Sequence, residues 1–177
     1  MYKIAKEFDF CYGHRVWSQE LNSELSLDSC LKCRHLHGHQ GKLIVYLESE
    51  ELDKGMVTDF KHLNWLKKWI DDVIDHKFIM DINDPLLLHE VPVISSLKLE
   101  KFPEGYYVIP SPRLWDSNPA VGEKYEGMIF VDFIPTSENL SKWIFDIVSE
   151  KMSKIEVTVS RVQFYETPKS QSNYYKY

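Results

Sequence analysis

The run Cys30-Leu-Lys-Cys-Arg-His-Leu-His-Gly-His39 leads directly into Lys42-Leu-Ile-Val-Tyr-Leu-Glu48, and the reading of that junction decides the architecture. The second stretch reads as a β-strand. If His37 and His39 begin it, their side chains share one face, with Cα atoms about 6–7 Å apart from the strand rise. Two imidazoles on one metal ion fit that separation.

Upstream, Phe8, Phe10, Tyr12 and His14 alternate with Glu7, Asp9, Cys11 and Gly13. That is the period of a half-buried strand, and it puts His14 on the aromatic face. His14, His37 and His39 together make three nitrogen ligands, the number a catalytic zinc uses while one position stays open. The competing arrangement is a closed structural site of Cys30, Cys33, His37 and His39, a set that also suits tetrahedral Zn²⁺. His14 separates the two, because only the open site uses it.

Downstream, Gly55 punctuates the chain. Met56-Val-Thr-Asp-Phe60 then leads into a segment where Phe60, Leu63, Leu66, Ile70, Val73 and Ile74 recur at helical spacing, with Thr58 or Asp59 as cap. Pro135-Thr-Ser-Glu-Asn139 announces a second helix, capped by Thr136 or Ser137 and carrying Leu140, Trp143, Ile144, Ile147 and Val148 as its buried stripe. A last strand runs from Glu156 to Glu166. Its apolar parity changes near Ser160 and Arg161, which calls for a bulge. The tail from Thr167 to Tyr177 is polar and aromatic and reads as only partly ordered.

Between the helices, Pro85 to Pro135 holds seven of the eight prolines. No single helix can cross it. Short strands fit Val91–Leu99, Tyr106–Ile109 and Met128–Phe133. The expected architecture is an α+β domain with two helices on one face of an antiparallel sheet. It is one domain over residues 1–177, with a loop-rich insertion at about 86–127.

The chain has 177 residues, 21 Lys+Arg against 27 Asp+Glu and a net charge of −6. The acidic balance argues against a sequence-independent nucleic-acid binder. No apolar run approaches the roughly 18 residues of a membrane span, and Met1-Tyr-Lys-Ile-Ala-Lys-Glu lacks a signal peptide's apolar stretch. The expected location is therefore cytoplasmic, with neither membrane nor nucleic acid as partner. Three cysteines, an odd number, with no export signal read at the start, are not expected to form a disulfide framework. Cys11 reads as a packing residue.

Two further groups have both a chemical and a plain reading. Asp75-His76 ends the first helix; an Asp can orient a His, but adjacent residues on a helix do not face each other, so a solvated helix end competes. Glu166 is either a strand-end charge or a carboxylate turned toward a ligand.

Taken in order, Phe8-x-Phe10 to His14, Cys33-x-x-x-His37-Gly38-His39, Gly55-Met-Val-x-Asp59-Phe60, Asp75-His76, Pro135-Thr-x-Glu138-Asn139-Leu and Glu166-Thr167 resemble the 6-pyruvoyl-tetrahydropterin synthase family. The branch they most resemble is the 6-carboxy-5,6,7,8-tetrahydropterin synthases of queuosine and 7-deazapurine biosynthesis. The resemblance implies a tunnelling fold, an antiparallel sheet with two helices whose subunits close into a barrel, usually a hexamer of two trimers. It implies zinc held by His14, His37 and His39, with Cys33 as thiol base and Asp75 and His76 as a proton relay. Glu166 would grip the pterin ring, and Thr136 and Glu138 would contact the substrate. The implied reaction converts 7,8-dihydroneopterin triphosphate to 6-carboxy-5,6,7,8-tetrahydropterin, releasing acetaldehyde and triphosphate. Two alternatives stay open: pyruvoyl-tetrahydropterin synthesis, which shares the cysteine, and an inactive pterin-binding or structural zinc protein on the same scaffold. Arg34, Lys42 and Lys77 are the cations available for the triphosphate. Cys30, Gln40-Gly41, Tyr165 and the long 86–127 stretch depart from the family pattern.

Overall fold

The computed structural model describes residues 1–90, 99–112 and 118–176. Its strands are β1 (Tyr2–His14), β2 (His37–Ser49), β3 (Lys77–Asp81), β4 (Glu100–Lys101), β5 (Tyr107–Val108), β6 (Met128–Val131), β7 (Thr158–Thr167) and β8 (Ser170–Tyr175). The helices are α1 (Asn64–Val73), α2 (Pro85–Glu90), α3 (Pro119–Glu126) and α4 (Ser137–Ser153). The strands form one sheet in the order β4-β5-β6-β3-β1-β2-β7-β8. The α+β class is as expected, but the sheet is mixed rather than antiparallel, since β3 runs parallel to both β1 and β6. A parallel pair needs a long crossover, and the insertion after β3 supplies one. Among the described residues, no helix is long and apolar enough to cross a membrane.

The elements fall into two units. The first comprises Met1–Cys11, His39–Asp75 and Ser137–Tyr177. In β1 the alternation holds, with Phe8 and Phe10 buried and Glu7 and Asp9 exposed. Leu43, Val45 and Leu47 of β2 are fully buried. A 3₁₀ turn at Phe60–Leu63 precedes α1, and the side chain of Asp59 caps it by accepting from the Lys61 amide at 2.8 Å. Leu66, Ile70 and Val73 form the buried stripe of α1, and Leu140, Ile144, Val148 and Met152 that of α4. Trp69 and Trp143 meet edge to face, centroids 5.3 Å apart.

The parity change in β7 is a bulge. Tyr46 faces Arg161 while Leu47 faces Val159, so Ser160 is the extra residue and both Val159 and Val162 stay buried. The described part of the tail, up to Lys176, turns back as β8 rather than trailing off, antiparallel to β7, and the Ser172 hydroxyl donates to the Ser137 carbonyl at 2.6 Å. Cys11 is exposed rather than packed, because odd positions of this part of β1 face outward.

The second unit comprises Tyr12–Gly38 and His76–Thr136. The insertion builds its own small core, in which Leu87, Ile109 and Tyr125 close on Met80 and Phe130. It is less loop-like than its prolines indicate. Pro85 and Pro119 open α2 and α3, where a missing N–H costs nothing, and the Asn118 side chain caps α3 at 3.1 Å from the Ala120 amide. The strand expected at Tyr106–Ile109 is the two-residue β5, and that at Met128–Phe133 is β6. The one expected at Val91–Leu99 lies, apart from Leu99, outside the described residues. Just past His14, Arg15 pairs with the buried Asp84 at 3.0 Å and the Trp17 indole donates to Asp81 at 2.9 Å. These contacts tie the exit of β1 to the end of β3.

Candidate metal centre

His14 closes β1 and is completely buried. Its Nδ1 lies 2.6 Å from the Pro135 carbonyl oxygen. A carbonyl can only accept, so Nδ1 carries the hydrogen, and in the neutral ring Nε2 keeps the lone pair. His37, the first residue of β2, repeats the pattern with Nδ1 2.7 Å from the His35 carbonyl. The two rings lie with centroids 4.6 Å apart. On each, a main-chain acceptor fixes the tautomer and leaves Nε2 for a metal, which is how metal-binding histidines are usually oriented.

His39 follows on the same face of β2, and its Nε2 stands 3.6 Å from Glu166 Oε1 at the end of β7. One ligand atom from each of His14, His37, His39 and Glu166 lies within 4.8 Å of the other three. Ligands around a tetrahedral zinc sit about 3.3 Å apart for bonds near 2.05 Å. Three imidazoles and a carboxylate are borderline-to-hard donors, which suits Zn²⁺. Gly38 makes the spacing sterically feasible: a Cβ there would meet the Tyr12 carbonyl oxygen at 3.1 Å, so a side chain between the two histidines would press on the β1 backbone.

Neither Cys30 nor Cys33 belongs to this group among the described residues. Cys33 lies half-buried in a 3₁₀ turn, Lys32–Arg34, and Cys30 is exposed. Gln19 grips the turn from the loop after β1. Its side-chain oxygen accepts from the Cys33 amide at 3.0 Å and its carbonyl from Arg34 Nε at 2.9 Å, while Val16 donates to the Cys33 carbonyl at 2.7 Å. Gln19 escapes sequence reasoning because nothing in a polar loop marks one glutamine over its neighbours.

Asp75 and His76 sit in the turn between α1 and β3, not on the helix. Asp75 accepts the Cys11 amide at 2.7 Å. His76 has φ of 58°, in the left-handed region that His visits more often than most side chains. Glu138 is exposed in the first turn of α4, and its carbonyl accepts from the Ser141 hydroxyl at 2.7 Å. Thr136, half-buried, donates its amide to the Ile134 carbonyl at 2.7 Å. The cations named for a triphosphate all have partners within the chain. Besides Arg34, Lys77 donates to the Glu126 carbonyl at 2.7 Å. Lys42 donates to Glu7 at 3.1 Å, and that hydrogen bond with its opposing charge holds the ammonium above its ordinary value.

A family model described as 6-pyruvoyl tetrahydropterin synthase matches residues 3–176. A 6-carboxy-5,6,7,8-tetrahydropterin synthase from Aquifex aeolicus is 34% identical, covering 98% of this chain and 97% of its own. One of the same name from Rickettsia typhi is 36% identical over 79% of this chain and 93% of its own. Among solved structures, a protein from Wolinella succinogenes described as uncharacterized superposes with a TM-score of 0.95 at 52% identity, over 99% of this chain and 98% of its own. The Caenorhabditis elegans 6-pyruvoyl tetrahydropterin synthase shares the fold at a TM-score of 0.57 and 21% identity, over 99% and 96%.

Proposed function

The chain belongs to the 6-pyruvoyl tetrahydropterin synthase family, and from that premise we propose that it is a zinc-dependent lyase converting 7,8-dihydroneopterin triphosphate to 6-carboxy-5,6,7,8-tetrahydropterin, with release of acetaldehyde and triphosphate. The observation that carries this reading is the group of His14, His37, His39 and Glu166, set in a chain whose relatives over 98% and 79% of its length bear the carboxy-tetrahydropterin name.

His14, His37 and His39 hold the zinc. Bound there, it supplies Lewis acidity that makes the substrate's side-chain hydroxyls and neighbouring C–H easier to deprotonate. Cys33 takes a proton from the substrate side chain as thiolate, on a turn fixed by Gln19. Asp75, anchored on the Cys11 amide, orients His76, which passes protons. Glu166 grips a ring N–H and the exocyclic amine of the pterin with its two oxygens. It stands 3.6 Å from His39. Thr136 and Glu138, at the head of α4, contact the substrate. The product feeds 7-deazapurine synthesis in the cytoplasm, and the working form is a homo-oligomer built from one catalytic domain per chain, with 86–127 as its insertion.

The test is metal removal and return. Protein stripped with a chelator is expected to stop consuming the substrate and to recover with one equivalent of Zn²⁺ per chain. Full turnover by metal-free protein would reject the zinc-dependent reading.

A further inference from the structure

The main-chain carbonyl that meets His14 belongs to Pro135, the first residue of the Pro-Thr-Ser-Glu stretch that opens α4. Across Pro135 the Thr136 amide bonds back to the Ile134 carbonyl at 2.7 Å, a bond between residues i and i+2. That is the pattern of an inverse γ-turn, whose central φ near −75° is close to the value a proline ring imposes. Pro135 is buried and His14 completely so. The acceptor is thus set by a residue with one locked dihedral, and the imidazole has no room to turn to solvent.

We propose that Pro135 is a positioning residue for the metal centre: its ring fixes a turn whose carbonyl takes the Nδ1 hydrogen of His14, holding the tautomer that leaves Nε2 for the metal. The same four-residue stretch then does two jobs, with Pro135 orienting a metal ligand and Thr136 and Glu138 meeting the substrate. The metal half of this inference rests on the zinc reading above, whereas the tautomer half does not.

The test uses full-length protein labelled with ¹⁵N-histidine, read by long-range ¹H–¹⁵N correlation spectra without metal, and zinc affinity by chelator competition. In the wild type, His14 is expected as the Nδ1-protonated neutral tautomer. Pro135→Gly frees φ, so His14 is expected to show mixed tautomers and zinc affinity to fall 10- to 100-fold, the usual effect of losing a partner of a metal ligand. Pro135→Ala, which still populates the proline-like φ and folds readily, is expected to shift both in the same direction by less. His37, whose acceptor is the untouched His35 carbonyl, keeps its tautomer in both variants, which distinguishes loss of orientation from general loosening. Unchanged His14 tautomer and unchanged zinc affinity in Pro135→Gly would overturn the proposal. If the wild type binds no zinc, the zinc reading falls, and the His14 spectra still decide the role of Pro135.

Discussion

The rings of His14 and His37 lie 4.6 Å apart by their centroids, and each has its Nδ1 tied to a main-chain carbonyl. With Nδ1 taken up by a carbonyl on both rings, Nε2 is the nitrogen each can offer to a cation. His37→Ala is expected to lower zinc affinity at least 100-fold in chelator competition. Glu166→Gln keeps all three nitrogens and is expected to cost less than tenfold in zinc affinity while raising the KM for the pterin substrate. A larger loss of zinc than of substrate binding in Glu166→Gln would make Glu166 a ligand first.

Cys33 and Cys30 differ in setting, one half-buried and bonded to Gln19, the other exposed. Cys33→Ala is expected to retain zinc and lose at least 100-fold in kcat, within the range of a general base. Cys30→Ser is expected to leave both within twofold. Loss of zinc in either variant, measured by metal analysis of the purified protein, would favour the closed site of Cys30, Cys33, His37 and His39.

His76 holds a left-handed backbone at φ of 58°, which glycine adopts without strain. His76→Gly is therefore expected to raise unfolding free energy by about 0.5–1 kcal/mol in a denaturant titration, while turnover drops sharply. A fall in both would mean that the imidazole's contacts matter more to the fold than the strain does.

Asp84 is 1% exposed, pairs with Arg15 at 3.0 Å and accepts the Leu86 amide at 2.8 Å. Removing one partner of a buried pair strands the other charge. Asp84→Ala is expected to cost about 3 kcal/mol, seen as a Tm lower by roughly 6–12 °C for a chain of this size. Because Arg15 follows His14 directly, zinc affinity should fall as well. Replacing both Arg15 and Asp84 by apolar residues is expected to recover part of the stability but not of the affinity.

Much of the site was legible because it is written in strict strand alternation. Phe8, Phe10 and Tyr12 carry His14 to the buried face, and His37 and His39 share a face for the same reason. The bulge was legible from the misplaced parity of Val159 and Val162. What was not legible depends on partners far along the chain. Ser170–Tyr175 has no apolar period of its own and becomes a strand by pairing with β7. The parallel placement of β3 follows from how the insertion crosses back, and α3 is hidden by Gly122 and a weakly apolar face. The approach of Glu166 to His39 and the carbonyl of Pro135 on His14 are contacts of the folded chain, which no local pattern encodes.

The product is measured directly by the stoichiometry of acetaldehyde against pterin formed from 7,8-dihydroneopterin triphosphate by zinc-loaded protein. One acetaldehyde is expected per 6-carboxy-5,6,7,8-tetrahydropterin, and none from Cys33→Ala. A pyruvoyl-tetrahydropterin formed without acetaldehyde, or no turnover by fully loaded protein, would contradict that expectation.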